Sequence, residues 1–223
     1  MNPKLIKIAA LLICFGPAVC RAAVIKIGLT GLVDYVNDPY NLLEGGVTGG
    51  DPITGFYTYD SETPDSEPSV YDGIYQHTTT PYGMSLTVGD LVFQTDPTNV
   101  NFTIGLVNNY WGDPPDFYGI TSYNNLTLNN GVNVDELHWQ LTDYSGTALS
   151  SDMLLITPPD LSQWQSNLLS IRGGRYPFPP DGTKTLFGIN GHVTSVYIIP
   201  EPATILLLAM GALALRRRNF KKD

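Results

Sequence analysis

Between residues 24 and 199, apolar side chains recur at every second position rather than at every third and fourth. Ile25, Ile27 and Leu29 alternate with Val24, Lys26, Gly28 and Thr30. Val100, Phe102, Ile104 and Leu106 alternate with Asn101, Thr103 and Gly105, and Leu137, Trp139 and Leu141 with His138, Gln140 and Thr142. A period of two turns one face of an extended segment toward a core and the other toward water. Turn signals punctuate these runs. Asn190-Gly191 lies between residues 185–189 and 192–199, and Asn130-Gly131 between 126–128 and 132–134. Asn-Gly is the strongest short hairpin signal, because both residues tolerate positive φ. Gly89-Asp90, between Leu86-Thr87-Val88 and Leu91-Val92-Phe93, fits a type II′ turn. About ten strands spaced in this way predict an all-β chain, a single β-sandwich of jelly-roll or lectin-like form.

One short helix is expected inside this pattern. Thr157-Pro158-Pro159 stops a strand, Asp160 is placed to cap, and Gln163 stands three residues on. Leu161, Trp164 and Leu168 follow at helical spacing. Residues 61–69 offer nothing apolar to bury and read as an exposed loop.

Residues 24–199 form one domain's worth of chain, long enough for a hydrophobic core to suffice. Both cysteines, Cys14 and Cys20, precede this region, so the domain has no disulfide of its own. It holds four cations (Lys26, Arg172, Arg175 and Lys184) against nineteen Asp and Glu, a formal charge of −15. That field repels phosphates and excludes a nucleic-acid partner. It suits a surface protein, a cation binder, or a matrix component kept apart by like charge.

The two ends differ from the middle. Lys4 and Lys7 precede an apolar stretch, Ile8 to Val19, with small residues at Ala22 and Ala23. This is the layout of a secretory signal peptide over residues 1–23. At the other end, Pro200, Glu201 and Pro202 precede an apolar run from Ala203 to Leu215. Arg216, Arg217 and Arg218 close it, with Lys221 and Lys222 behind. Thirteen residues make a helix of roughly 20 Å at ~1.5 Å per residue. That is short for a bilayer core of ~30 Å, and the arginine stems lengthen its reach. Basic residues after the run stay cytoplasmic, so the bulk of the chain lies outside. The expected division is therefore a signal peptide at 1–23, a β-sandwich at 24–199, and a sorting signal with a short transmembrane helix at 200–223.

The Pro-Glu-Pro triplet, apolar segment and basic cluster resemble the PEP-CTERM sorting signal of Gram-negative bacteria. The resemblance implies recognition by an exosortase, a membrane enzyme, with cleavage near the triplet after signal peptidase has acted. Within the body, Ile53-Thr54-Gly55-Phe56-Tyr57-Thr58-Tyr59-Asp60 followed by Thr63-Pro64-Asp65-Ser66 is similar to the opening hairpin of PEP-CTERM exported proteins. So are Ser85-Leu86-Thr87-Val88-Gly89, Leu141-Thr142-Asp143 with Gly146-Thr147-Ala148, and Pro158-Pro159-Asp160-Leu161-Ser162. The family implies a secreted β-rich domain without an assigned activity.

No nucleophile elbow, His-Glu-x-x-His helix, phosphate-cradling loop or Cys-x-x-Cys occurs. His77, His138 and His192 read as exposed strand or turn positions. Asp135 and Glu136 adjoin, and strand neighbours point to opposite faces, so they do not share an acid–base site. Asp113 and Asp116 flank Pro114-Pro115 beside aromatics and are the candidate Ca²⁺ ligands, with Asp60, Glu62, Asp65 and Glu67 a second acidic cluster. Tyr110, Trp111 and Tyr118 are the candidate ligand-binding aromatics, with Tyr71, Tyr75 and Tyr123 nearby, since flat apolar faces suit sugar rings. The expectation is a non-enzymatic exported surface or extracellular-matrix protein, structural or adhesive, with exopolysaccharide as candidate ligand and no cofactor unless Ca²⁺ binds. Two rivals stand beside it: a secreted polysaccharide hydrolase using two dispersed carboxylates, and a calcium-stabilised module.

Overall fold

A computed structural model describes residues 24–200, apart from 68, 110–112, 175, 179–181 and 185. The expected signal peptide at 1–23 and the expected transmembrane helix from Ala203 to Leu215 lie outside the described residues. Among those described, no helix is long and apolar enough to cross a membrane.

Ten strands form one antiparallel sheet in the order β3-β6-β7-β8-β9-β12-β1-β2-β4-β5. The first leaf contains β3 (Asp72–His77), β6 (Phe102–Val107), β7 (Asp116–Ser122), β8 (Val134–Asp143) and β9 (Ser166–Gly173). The second contains β2 (Pro52–Asp60), β4 (Gly83–Val88) and β5 (Leu91–Gln94). Two long strands, β1 (Val24–Asn37) and β12 (Phe187–Ile198), run through both leaves. A two-stranded ribbon, β10 (Tyr176–Phe178) with β11 (Gly182–Lys184), is inserted between β9 and β12. The all-β expectation holds. The strands make one continuous curled sheet rather than two separately bonded ones.

Glycine places the fold line. β12 leaves β9 at the pair Gly191–Leu169, and β2 joins β1 at the pair Leu32–Pro52. Between these points β1 carries irregularities at Thr30/Gly31 and Val33/Tyr35. A Cβ on Gly31 would lie 2.3 Å from the His192 carbonyl oxygen, and one on Gly191 would lie 2.5 Å from that of Leu32. Only glycine lets the two strands cross so closely while they bend. Asn190-Gly191 is therefore not the hairpin turn its sequence predicts. Asn190 sits mid-strand, paired with Ser170 on one side and Tyr35 on the other.

The other turn signals fare better. Gly89 has φ +56° and closes the β4–β5 hairpin, whose last pair is Val88–Leu91. Gly131 has φ +82° and its N–H bonds the Leu128 carbonyl, but no ladder flanks this turn. The expected short helix contracts to one 3-10 turn, Leu161–Gln163, capped by the Asp160 side chain. Leu168 belongs to β9 and is exposed. Long-range pairing to β8 outweighs the helical spacing, because one turn is a costly nucleus with nothing to propagate it.

Curling brings the inner faces together. Ile27, Leu29, Ile104, Ile120, Leu137, Trp139 and Leu141 are fully buried, as their alternation requires. Each such side chain contributes roughly 1.5–3 kcal/mol. The edge of β5 does not stay open: Thr95 bridges Asn125, and the Leu126 N–H donates to the Gln94 carbonyl at 2.8 Å. The sheet thus closes onto the chain leaving β7.

Candidate functional site

β12 runs without a break into the sorting segment. Its last residue, Ile198, pairs with Ile27, and the Ile199 N–H donates to the Lys26 carbonyl at 2.9 Å. Pro200 follows directly. β1 begins at Val24 on the neighbouring strand, so Val24 and Ile199 lie at the same end of the β1–β12 pair.

A groove of about 600 Å³ opens there on the outer face of the second leaf, lined in part by Val24, Lys26, Phe56, Tyr82, Ile199 and Pro200. A row of residues crosses the sheet beside and beneath it. Tyr197 pairs with Gly28, Gly28 with Phe56, Phe56 with Ser85, and Ser85 with Gln94. Gly28 has no side chain, and the Tyr197 ring occupies the place its Cβ would take. The Lys26 ammonium lies 3.5 Å from the centre of the Phe56 ring, a cation–π contact. The Tyr82 hydroxyl donates to Asp60 Oδ2 at 3.2 Å. Sequence reasoning did not single out this row. Its signal is present in the alternation of Phe56 with Tyr57 and Tyr59, but pairing across four strands is needed to see it.

Among the described residues, those that the sequence nominates do not converge. Tyr110 and Trp111 lie outside the described residues. Tyr118 is a core residue, 1% exposed, and shares a 2.9 Å hydrogen bond with Tyr57. Burial pushes the phenols of Tyr57, Tyr59 and Tyr118 far above their ordinary range. Together with Trp139 they form an aromatic layer between the leaves, and Tyr118 meets the indole edge-on at 5.9 Å. Tyr75 is buried as well, its hydroxyl donating to the Asp152 carbonyl, while Tyr123 is exposed. The described aromatics among them, Tyr75, Tyr118 and Tyr123, do not line one surface.

Asp113 is exposed, whereas Asp116 is fully buried. One Asp116 oxygen accepts the Asn109 N–H and the other the Leu149 N–H, at 2.9 and 2.8 Å. Its register partner Asp143 accepts N–H groups from Ser145, Thr147 and Ala148. The Ser145 hydroxyl, aided by those N–H groups and opposed by burial, holds the Asp143 carboxyl well below the usual range. The pair latches the loops leaving β6 and β8, so both carboxylates act structurally. Among the described residues, no three His, Cys, Asp or Glu side chains gather as a cation site would need.

Two histidines are partly exposed strand residues, and His192 pairs with Leu32 inside β12 rather than flanking a turn. His192 Nδ1 contacts Asp34 at 2.8 Å, and His138 is half-buried between Thr121 and Gln140. His77 departs from its expected exposed position: it is 3% exposed, packed among Tyr59, Tyr82 and Phe102. Its Nε2 accepts the Asp60 N–H at 3.2 Å and contacts the Thr63 hydroxyl at 2.9 Å, while Nδ1 is buried without a hydrogen-bond partner among the described residues.

Comparison with known families gives a match to the PEP-CTERM protein-sorting motif over residues 199–219. Searches of curated proteins and of solved structures give no significant match. The matched segment begins at Ile199, the residue whose amide still bonds β1. Strand β12 thus passes straight into the matched segment, and the chain carries a PEP-CTERM protein-sorting motif, which indicates export and exosortase-mediated C-terminal processing.

Proposed function

We propose that this protein is a surface or extracellular-matrix component whose β domain serves a structural or adhesive role, without catalysis, and takes exopolysaccharide as its ligand. The observation that carries the reading is the sorting motif joined directly to a closed, acidic β domain. A membrane-bound step hands such a domain to the cell exterior, anchored first by the short apolar helix at 203–215. The buried carboxylates suit a structural role: Asp116 and Asp143 use their oxygens on backbone N–H groups. A hydrolase of the two-carboxylate kind needs its pair about 5–9 Å apart beside the substrate.

The test is a polysaccharide array probed with residues 24–200, with and without calcium. Retention of an acidic or neutral exopolysaccharide without its degradation is the expected result. Release of shortened glycan would replace the reading with the hydrolase. A rise in Tm on adding calcium, reversed by chelator, would assign the calcium-stabilised module.

A further inference from the structure

We propose that the groove beside the sorting motif is a membrane-contact surface, which rests the domain's second leaf on the lipid headgroup layer while the tail is anchored. This rests on the reading of residues 203–215 as a membrane helix. Only Glu201 and Pro202 separate Pro200, at the groove rim, from Ala203, where the apolar run begins. The Cα atoms of residues 200 and 203 are then at most roughly 10 Å apart at ~3.3–3.6 Å per residue. With Ile199 held by the Lys26 carbonyl, no slack remains for the domain to stand away from the bilayer. Whatever surrounds Pro200 must meet the headgroups.

The side chains there suit that layer. Tyr197, whose ring lies over Gly28 in the row that holds Phe56, is 48% exposed although it sits on a regular strand of the sheet. Phe56 and Tyr82 continue the apolar surface, and Tyr82 carries a polar tip. Tyrosine and lysine are the residues that membrane interfaces favour, with an apolar body in the boundary and a polar end in water. Lys26 is one of four cations in an otherwise acidic domain, and it stands at this groove. Its ammonium rests on the Phe56 ring at the groove, where it supplies a positive charge for anionic lipid. Asp60, beside Tyr82, accepts from the Tyr82 hydroxyl and the Glu62 N–H.

The full chain, with Cys14 and Cys20 replaced by serine, is reconstituted into phosphatidylethanolamine–phosphatidylglycerol vesicles containing lipids brominated near the headgroup. A bimane label is placed at Thr80→Cys on the groove rim or at Asp90→Cys in the β4–β5 turn, the far end of the same strands. Thr80 is remote from the tail in sequence, so quenching there reports the orientation of the domain rather than mere tethering. Quenching several-fold stronger at position 80 than at 90, and reduced by Lys26→Glu, is the expected result. Equal, weak quenching at both positions in a chain that resists carbonate extraction would overturn the proposal and leave anchoring intact. Extraction of the chain by carbonate would remove both. Shielding of the position-80 label only when exosortase is co-reconstituted would assign the surface to the enzyme instead.

Discussion

His77 shows how one side chain can couple the fold to pH. Its Nε2 accepts a backbone N–H, which places the proton of the neutral ring on Nδ1, and burial then lowers its pKa below the ordinary 6.5. The folded chain therefore binds this proton less readily than the unfolded chain does. Stability is full above about pH 6.5 and is lost as pH falls through the window beneath it. Tm measured from pH 7.5 to 5 should decline, and the decline in this window should vanish in His77→Phe, whatever that variant's absolute stability. Asp143 does not confound the comparison, because a carboxyl held below its usual 3.8 loses its contribution only at more acid pH. Asn167 shows the same economy without titration. Its side chain bonds the Trp139 indole and both backbone groups of Val193, where β9 and β12 part. Neither role is legible in sequence, since His77 in Gln-His-Thr-Thr-Thr and Asn167 in Ser-Asn-Leu resemble any polar strand position.

Strand β12 carries the most at the level of elements. It pairs with β9 over its first half and with β1 along its whole length, so it is interior to the sheet where the leaves meet. Gly191 tests this placement. A methyl there would press on the Leu32 carbonyl and on the Ile53 side chain at 2.7 Å. Gly191→Ala should cost about 1–3 kcal/mol in urea unfolding, whereas Asn190→Ala, at an exposed position, should stay within ~0.5 kcal/mol. A hairpin turn at these two residues would make both substitutions costly, through lost positive φ at each. The same dipeptide at Asn130-Gly131 does turn the chain. Local chemistry permits a turn at both sites. The difference is made by β1, which lies alongside only one of them.

For the whole molecule, the absence of a spacer between domain and sorting signal is the governing fact. Processing that leaves Ile199 and Pro200 on the domain spares every sheet pair. A chain ending at Pro200 should unfold cooperatively at nearly the same Tm as the domain in its longer form. A chain ending at Thr194 loses the partners of Ile27 to Thr30 and uncovers the buried Ile27 and Leu29. It should lose roughly 3 kcal/mol or more, or fail to fold. Differential scanning calorimetry of the two truncations reads this directly. The formal charge of −15 over residues 24–199 acts at the same scale, as like charge between copies of the domain.

Export, all-β architecture and much of the buried face were decided by the sequence alone. Each depends on signals within a few residues: a triplet and an apolar run, a period of two, a glycine needing positive φ. The tertiary structure alone decided which Asn-Gly turns and which lies flat in a strand. It also decided that Tyr118 is a core residue, that Asp116 and Asp143 are latches, and that Tyr197, Phe56 and Lys26 share a surface beside the tail. Those outcomes arise from pairs separated by tens to more than a hundred positions, such as Gly28 with Tyr197. A local pattern says that a side chain points inward or outward; only the paired strand determines what it meets there.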